Sequence, residues 1–516
     1  MPRRTAAERS LERTLLVNLA LHALAMLSMA ALLLPALPGG THADPMDRAL
    51  YVYTWRFVIT AAWIPWQLCA LADLWLAVTM LRTPWLPKGP SWWALVFTVA
   101  AIVPDQWGEF QWSTTLPELA REALRRRDAH AFAAHEAEAF RATAGFGATL
   151  YTVAALGWTV AFARAGTWAR WLTALSVPMW SVLGVVALSA LAPDVLALPA
   201  AVVSAGNALG FAALEVWLFG VTEAVLRRAR PFTATAREAL WRYPERGLVG
   251  AALAWIANSR VISAFIEPMP VPAMVSDIED VLYVNYLVDA ERLLPLVPEG
   301  LELQRLGPDG RYALFTWLTF RHGHFGFAFM GPLRRLMPSP VQTNWRIHVR
   351  DPRTGVVGIH FVTNAIDRAP PALAARLTTE GMPMHVLREA RLVRGADGAV
   401  DLTLDPGEGT APDATCHLTP TQEHPWEGAW RDCWGDWRAF LDYCLPQERA
   451  MSTQPWRDRV TRHEIELGLD PARCVPLAGD VRSRRAASYV GDAKALCFRV
   501  PAVRFRFAVE ATDPLP

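Results

Sequence analysis

The feature that most constrains this chain is a series of long apolar runs crowded into its first half. Each run has about 20 residues, the length that an α-helix needs to cross a bilayer. The runs cover residues 15–37, 57–81, 92–111, 146–163, 171–191 and 196–226. The first run is too long for the apolar part of a signal peptide, so we interpret it as an anchor. We therefore predict an all-α transmembrane bundle of about six spans within residues 1–230.

Basic residues beside these runs predict the orientation of the bundle. Nearly all are arginines, since Lys88 and Lys494 are the only lysines, and this bias is typical of a G+C-rich bacterial genome. Loops on the cytoplasmic side are enriched in arginine and lysine. The basic residues in question are Arg3, Arg4, Arg9, Arg13, Arg82, Lys88, Arg164, Arg170, Arg227, Arg228 and Arg230. They predict a multi-pass protein of the bacterial inner (cell) membrane, with its N-terminus and C-terminal domain in the cytoplasm. Residues 113–145 would then lie outside, and we predict an amphipathic helix along the membrane surface there.

Three polar residues at membrane depth, Asp73, Asn207 and Glu215, are candidate functional residues, because placing polar groups in a bilayer is costly. Asp73 and Glu215 could form the proton or cation path of a transporter. Alternatively, they stabilise contacts between helices. The lack of an internal repeat, which many transporters have, favours this alternative.

Residues 231–267 are predicted to join the two halves as a linker and an interfacial helix. The apolar stretch 247–266 is long enough to span a membrane, but it contains Asn258 and Arg260. We therefore favour a helix that lies at the membrane interface or packs on the next domain. A seventh span would instead place the C-terminal domain outside. Pro268, Pro270 and Pro272 end any helix, because proline lacks the amide donor.

Residues 268–516 have the pattern of a second, β-rich domain. Runs rich in β-branched and aromatic residues predict strands at 281–288, 312–320, 345–349, 356–363, 388–393, 400–404 and 498–509. Helical patterns lie between them at 290–296, 371–377 and 434–444. Strands and helices do not alternate regularly, so we predict an antiparallel α+β or barrel domain.

Two segments of this domain resemble a known family. The stretch 280–303, DVLYVNYLVDAERLLPLVPEGLEL, is similar to the opening of the YqjF-like family of uncharacterised bacterial proteins. NWRIHVR at 344–350 and GIHFVT at 358–363 are similar to the central strands of that family. The resemblance covers about residues 275–510. The family is similar to acetoacetate decarboxylase, so the resemblance implies an antiparallel, cone-shaped β-barrel with a pocket inside.

The resemblance also argues against decarboxylase activity. Acetoacetate decarboxylases carry a Gly-aromatic-Pro-Lys-Lys motif, and the matching stretch here is Gly381-Met-Pro-Met384-His385. Met384 stands where the imine-forming lysine would be, and a thioether cannot form an imine. The nearest lysine, Lys494, is far away in the sequence. We therefore do not expect acetoacetate decarboxylase activity.

Polar residues near these motifs predict a ligand site. Asn344, Arg346 and His348 alternate along one strand, so their side chains share a face. An inward-facing Arg346 would bind a carboxylate or phosphate with two parallel hydrogen bonds. His385 is the candidate acid or base, since the pKa of histidine lies near neutrality, and Met384 would line the pocket. The alternatives are an exposed strand face, an ion pair of Arg346 with Glu380, and a structural His385.

Two functional hypotheses follow. In the first, the cytoplasmic barrel binds a small apolar carboxylate or a lipid-derived ligand and acts on it, if at all, as a lyase or isomerase without an imine. In the second, the chain is a non-enzymatic transporter or ligand sensor that uses its intramembrane acids. The partners are then the lipid bilayer and a small molecule, and no oligomeric state is predicted. The net charge of +1 excludes a typical nucleic-acid-binding domain.

No cofactor is predicted, since phosphate-binding and dinucleotide-binding loops are absent from the sequence. No metal is predicted either. His322 and His324 have the spacing of two ligands on one strand face but lack a third ligand nearby. The cysteines and histidines between 416 and 444 do not show the short Cys-x₂₋₄-Cys spacing of structural zinc sites.

Overall fold

A computed structural model shows the protein as two compact units, Met1–Ala229 and Arg230–Pro516. The residues described are 5–229, 240–269, 273–378, 382, 384–422, 424, 426–445, 449–454, 459–468 and 470–514. Some residues used in the sequence predictions lie outside this set, namely Arg3, Arg4, Arg230, Pro270, Pro272, Glu380, Gly381 and Pro383.

The described part of the first unit is helical. Its helices are α1 (Ala6–Ser28), α2 (Pro45–Thr54), α3 (Arg56–Arg82), α4 (Lys88–Ser113), α5 (Thr115–Arg126), α6 (His130–Phe140), α7 (Ala148–Arg164), α8 (Arg170–Leu191) and α9 (Ala200–Ala229). A π-helical turn and a 3₁₀ turn extend α1 to Ala36, and a π-helical segment, Arg141–Gly147, joins α6 to α7. Thr5 begins α1 with a capping box, in which its side chain and that of Glu8 each bind the other's backbone amide.

Five helical stretches of this unit are long and apolar enough to cross a membrane. They are Ala6–Ala36, Arg56–Arg82, His130–Arg164, Arg170–Leu191 and Ala201–Ala229. The predicted span at 92–111 forms α4 but is not among these five. Its second half carries Asp105, Gln106 and Glu109, which lower its apolar character. The amphipathic helix predicted within 113–145 is α5, which buries Leu116 and Ala120 along one side.

Thirteen strands of the second unit form one mostly antiparallel sheet. They are β1 (Met274–Asp289), β2 (Glu302–Leu303), β3 (Tyr312–Phe327), β4 (Val341–Arg350), β5 (Val357–Ile366), β6 (Met384–Val386), β7 (Glu389–Arg394), β8 (Val400–Asp405), β9 (Ala414–Pro420), β10 (Arg449–Gln454), β11 (Arg459–Gly468), β12 (Val475–Arg482) and β13 (Leu496–Pro514). The strand order is β1-β3-β4-β5-β10-β11-β13-β12-β9-β8-β7, and β13 also pairs with β1. β2 pairs with β4, and β6 pairs with β5.

This sheet is not the closed barrel that was predicted. The outer edge of β5 is divided between two parallel partners, since Asn364–Ile366 pair with β6 and Ile359 alone pairs with β10. The path also continues beyond β13 through β12, β9, β8 and β7. The prediction of a mostly antiparallel α+β domain is confirmed, but complete closure is not.

Seven helices accompany the described strands. They are α10 (Leu248–Ala257), α11 (Arg260–Ile266), α12 (Ala290–Leu293), α13 (Ala369–Thr378), α14 (Ala429–Trp434), α15 (Trp437–Cys444) and α16 (Arg484–Val490). The stretch predicted as an interfacial helix forms α10 and α11, which meet at a bend of 56° and together are also long and apolar enough for one span. Asn258 at the bend donates from Nδ2 to the carbonyl of Trp241 at 2.9 Å. Ala257 packs with Trp241 and Ile366, so the end of α10 contacts the edge of the sheet at β5.

Candidate ligand-binding site

A small cavity lies between six strands of the sheet. Its volume is about 40 Å³. The apolar wall residues are Ile278, Val281, Tyr283, Leu318, Phe320, Ile359, Phe361, Ile465 and Val503. Two polar residues, Asn344 and Arg346, complete the lining. A mostly apolar cavity with a few convergent polar groups is typical of a small-molecule site.

A β-bulge determines which side chains face this cavity. Trp345 pairs with Thr363 while Arg346 pairs with Phe361, so Val362 is an extra residue on β5. Side chains alternate between the two faces of a strand, and an extra residue shifts that alternation. Asn364 therefore lies on the same face as Phe361 and hydrogen-bonds across to β4. The opposite face carries Trp345, which belongs to the main hydrophobic core.

Arg346 is buried in the cavity wall without an acidic partner among the described residues. Its side chain is 3% exposed, and Nη2 donates to the carbonyl of Cys444 at 3.3 Å. The guanidinium carbon lies 5.4 Å from the centre of the Tyr283 ring. The Nε–H has no hydrogen-bond partner in the described part of the chain. A buried charge without a counter-ion is costly, so this arrangement suits an anionic ligand.

A buried chain of hydrogen bonds orients Asn344. Asn344 Oδ1 accepts from Gln342 Nε2 at 2.8 Å and from Asn364 Nδ2 at 2.7 Å. Gln342 Oε1 lies 2.9 Å from His322 Nε2, and His322 Nδ1 lies 2.8 Å from Ser276 Oγ. Because Gln342 uses its amide nitrogen toward Asn344, its oxygen accepts from His322 Nε2, and Nδ1 of the neutral ring is then an acceptor. The Ser276 hydroxyl has one proton to donate, and it lies 2.8 Å from His322 Nδ1 and 3.3 Å from the carbonyl of Gly323.

The same chain of hydrogen bonds fixes what Asn344 presents to the cavity. Its oxygen already accepts twice, so the NH₂ group is the end that remains for a ligand. Burial lowers the pKa of His322 to about 4, which keeps the imidazole neutral at pH 7. Asn344 and Arg346 therefore both offer N–H donors to the cavity. Burial raises the pKa of the neighbouring Tyr283 to about 12, so its hydroxyl keeps its proton at pH 7. The polar side chains lining the cavity are suited to bind a carboxylate.

His348 shares the strand face of Arg346 but does not line the cavity. Its ring stacks on Tyr443 with centroids 4.6 Å apart. Burial, with a smaller effect of Arg346, lowers the pKa of His348 to about 3. Its Nε2 has no partner among the described residues. The structure thus places His348 beyond the cavity wall, against α15.

Met384 and His385 are not brought together with Arg346. Met384 pairs with Asn364 and packs in a cluster with Trp241, while His385 pairs with Ala365. Ala365 belongs to the core on the opposite face, so His385 points away from the cavity. His385 Nδ1 lies 2.9 Å from Thr410 Oγ1, and burial, aided by two arginines, holds its pKa well below 6.5. The catalytic role of His385 and the ligand contact of Met384 stay predictions.

The helical unit contains a second cavity, of about 680 Å³. Asp73 and Asn207 line it, and Glu215 does not, although Glu215 interacts electrostatically with His22, which does. Sequence reasoning missed two further acids in the lining, Asp105 and Glu109. Their signal was present, because two carboxylates four residues apart on an apolar helix share one side of it.

The described part of the chain does not bring potential metal ligands together. Within the described residues, no three His, Cys, Asp or Glu side chains are placed to hold one metal ion. Both ring nitrogens of His322 are engaged with Ser276 and Gln342, and His324 is exposed.

Several known proteins resemble the second unit. Residues 276–432 match the DUF2071 family, described as "Uncharacterized conserved protein (COG2071)". The enduracididine biosynthesis enzyme MppR complexed with pyruvate is 14% identical, with 48% of this chain and 91% of that chain covered and a TM-score of 0.32. An acetoacetate decarboxylase-like enzyme from Sphingomonas wittichii RW1 is 12% identical, with 47% and 93% covered and a TM-score of 0.33. No curated protein matches the chain. At these scores the likeness carries no argument about the chemistry of the cavity.

Proposed function

We propose that this chain is an integral membrane protein whose sheet domain binds a small organic carboxylate. The observation that carries the proposal is the buried Arg346, which has a free Nε–H and lacks an ion-pair partner among the described residues. A carboxylate would supply the missing counter-ion and accept charge-assisted hydrogen bonds from the guanidinium. The Asn344 NH₂ group would bind a second oxygen of the same ligand.

The size of the cavity favours a short ligand. A volume of about 40 Å³ lies far below the usual range of small-molecule sites, about 300–1,000 Å³, so the cavity admits only a carboxylate with a very short hydrocarbon body. The lipid-derived ligand of the first hypothesis is too long for this volume. Apolar side chains such as Ile359 and Phe361 would contact the hydrocarbon part.

The side chains that line the cavity support binding rather than catalysis. Tyr283 keeps its proton at neutral pH because its pKa is raised to about 12. Among the described residues that line the cavity there is no lysine for an imine and no histidine for proton transfer. We therefore propose a ligand-binding or sensing role for the domain, with a non-imine reaction as the alternative.

The membrane location and orientation are part of the same proposal. Five long apolar helices and the arginine-rich ends of the predicted spans support a multi-pass protein of a bacterial inner membrane. All six cysteines are free thiols, which fits a sheet domain in the reducing cytoplasm. Cysteine accessibility to an impermeant maleimide on intact cells and on inverted vesicles tests this orientation.

Isothermal titration of the full-length protein in detergent with butyrate and with butyramide tests the proposed carboxylate site. Butyramide has the same size and lacks the charge, so the proposal expects binding of butyrate only. Replacing Arg346 by glutamine should weaken butyrate binding about 30-fold or more, because hydrogen bonds to charged groups contribute about 1.5–3 kcal/mol each.

Arg438→Gln is the matched control for this titration. Arg438 is exposed and pairs with Asp442, so its loss should leave butyrate binding unchanged. Equal binding of butyrate and butyramide, or unchanged binding by Arg346→Gln, would contradict the carboxylate site.

A further inference from the structure

The cavity of the helical unit is large enough for a bulky ligand. Its volume of about 680 Å³ lies within the usual range of small-molecule sites, about 300–1,000 Å³. Residues from α1, α3, α4, α7, α8 and α9 line it. It extends from the middle of α1 and α3, at His22 and Asp73, to Gly39 and Gly40 in the loop after α1.

The ionisable side chains of this cavity include three acids, Asp73, Asp105 and Glu109, together with His22. Among the described residues that line it there is no arginine or lysine. Asp73 is 7% exposed, and its Oδ1 has no hydrogen-bond partner among the described residues. Its Oδ2 lies 3.9 Å from His22 Nε2. A buried carboxylate that lines a cavity and has one oxygen without a partner favours a cationic ligand.

Tryptophan rings in the lining favour an organic cation over a metal ion. Four tryptophans line the cavity, namely Trp63, Trp66, Trp158 and Trp180. The face of an indole ring attracts a cation, and tryptophan is the best of the aromatic side chains in this role. In the described part of the chain, the carboxylates are too dispersed to hold one metal ion with three ligands.

From the free carboxylate oxygen, the aromatic walls and the volume, we infer that the helical unit binds a bulky, apolar organic cation with Asp73 as its counter-ion. Quaternary ammonium and phosphonium compounds belong to this class. The tryptophan rings contact the apolar groups of the cation, while Asp105 and Glu109 add to the negative potential at the same wall.

The first test compares a cation with an uncharged aryl compound on the wild-type protein. Radiolabelled tetraphenylphosphonium is titrated onto the full-length protein in nanodiscs, with empty nanodiscs as the background. We expect saturable binding that excess unlabelled tetraphenylphosphonium removes and that triphenylphosphine oxide, an uncharged aryl phosphorus compound, does not. An excess of this neutral compound takes the place of a matched ion because it does not pair with the labelled cation. No saturable binding, or equal competition by triphenylphosphine oxide, overturns the inference. This comparison needs no variant and so does not depend on how a variant folds.

The second test assigns the counter-ion. Asp73→Asn should weaken tetraphenylphosphonium binding about tenfold or more, because a carboxylate and a cation attract strongly in an environment of low dielectric constant. The matched control is Glu118→Gln, which removes an exposed carboxylate paired with Arg121 on α5 and should bind as the wild type does. Unchanged binding by a monodisperse Asp73→Asn variant would exclude Asp73 as the counter-ion and overturn the inference.

Discussion

The two cavities of this protein are lined by ionisable side chains of opposite kind, acids in one and an arginine in the other. In the helical unit about 680 Å³ is lined by three carboxylates, and in the sheet unit about 40 Å³ is lined by one guanidinium. In each cavity a charged side chain has a polar atom without a partner among the described residues, Oδ1 of Asp73 and Nε of Arg346. Both cavities are therefore suited to a ligand of the complementary charge. They differ in the size of the ligand that they admit.

Arg48, a buried arginine of the helical unit, has a counter-ion, whereas Arg346 has none among the described residues. Arg48 is 6% exposed, and its Nε and Nη2 donate to the two carboxylate oxygens of Glu136 at 2.7 and 2.6 Å. Its Nη1 donates to two backbone carbonyls, so every nitrogen of the guanidinium has a partner. Burial alone thus does not distinguish a structural arginine from a binding one. Arg48 and Arg346 differ in whether the chain itself supplies the counter-ion.

The largest loss of stability is expected for a change at Arg48, because the chain itself supplies its counter-ion, Glu136. Arg48→Met should destabilise the protein by about 3–5 kcal/mol, because it leaves the Glu136 carboxylate buried and unpaired. The apparent melting temperature of the full-length protein, followed by fluorescence-detected size exclusion, measures this loss. The double variant Arg48→Met/Glu136→Leu should recover most of it. A single variant as stable as the wild type would remove the contrast between the two arginines.

The second effect is the pH dependence of stability that arises from His322, a member of the hydrogen-bonded chain that orients Asn344. His322 has a pKa of about 4 in the folded protein and 6.5 when unfolded. Its contribution to stability is therefore complete above pH 6.5 and is lost as the pH falls from 6.5 toward 4, since only the unfolded state then gains a proton. The loss amounts to about 3 kcal/mol.

Thermal unfolding followed by the β-sheet circular dichroism signal, from pH 7 to pH 4, measures this dependence. His322→Gln should reduce the dependence by about 3 kcal/mol, while the share of other buried histidines such as His348 and His385 remains. The exposed His417, which pairs with Asp401, provides the control His417→Gln. A wild-type profile that matches the His322→Gln profile would contradict the burial of a neutral imidazole.

A smaller effect is expected where the counter-ion is missing. Without ligand, Arg346→Met should change the free energy of unfolding by about 1 kcal/mol or less, and the change can be stabilising, because it replaces an uncompensated buried charge by an apolar side chain. The same melting assay measures it beside Arg48→Met. A loss comparable to that of Arg48→Met would mean that Arg346 is a structural residue.

The smallest effect is expected for a charge pair in water. Arg305 pairs with Glu291 at 2.7 Å on the surface of the sheet unit, and both side chains are largely exposed. Arg305→Ala should cost about 1 kcal/mol or less, because solvent screens the pair. The cost should shrink further in 1 M NaCl, where the Debye length is about 3 Å. A large loss of stability that does not depend on salt would show that the pair stabilises the protein by more than the attraction between its charges.

Much of the fold could be predicted from the sequence, because burial imposes clear patterns. The seven predicted strands all overlap observed ones, and five of the six predicted spans correspond to long apolar helices. β10 and β11 were missed because their inward positions include polar residues, such as Ser452 and Thr461, so the alternation of apolar and polar residues is weak. The incomplete closure at β5 depends on pairing between distant segments, which local patterns do not contain.

The site could be predicted only in part, because some of its geometry depends on pairing between distant strands. Asn344 and Arg346 share a face because alternation along one strand is a local property. The position of His385 depends on the parallel pairing of β6 with β5, which turns it toward the opposite face. Asn364 escaped notice because it reaches Asn344 only across two paired strands.

The extra residue at Val362 lets two positions three apart in the sequence, Phe361 and Asn364, share one face of β5. Deleting Val362 would restore regular pairing with β4, and Phe361 and Asn364 would keep Arg346 and Asn344 as their partners. The deletion would remove the local bend and the added twist that a bulge gives to a strand. It would therefore change the curvature of the cavity wall while leaving its side chains in place, whereas a substitution changes a side chain and leaves the curvature.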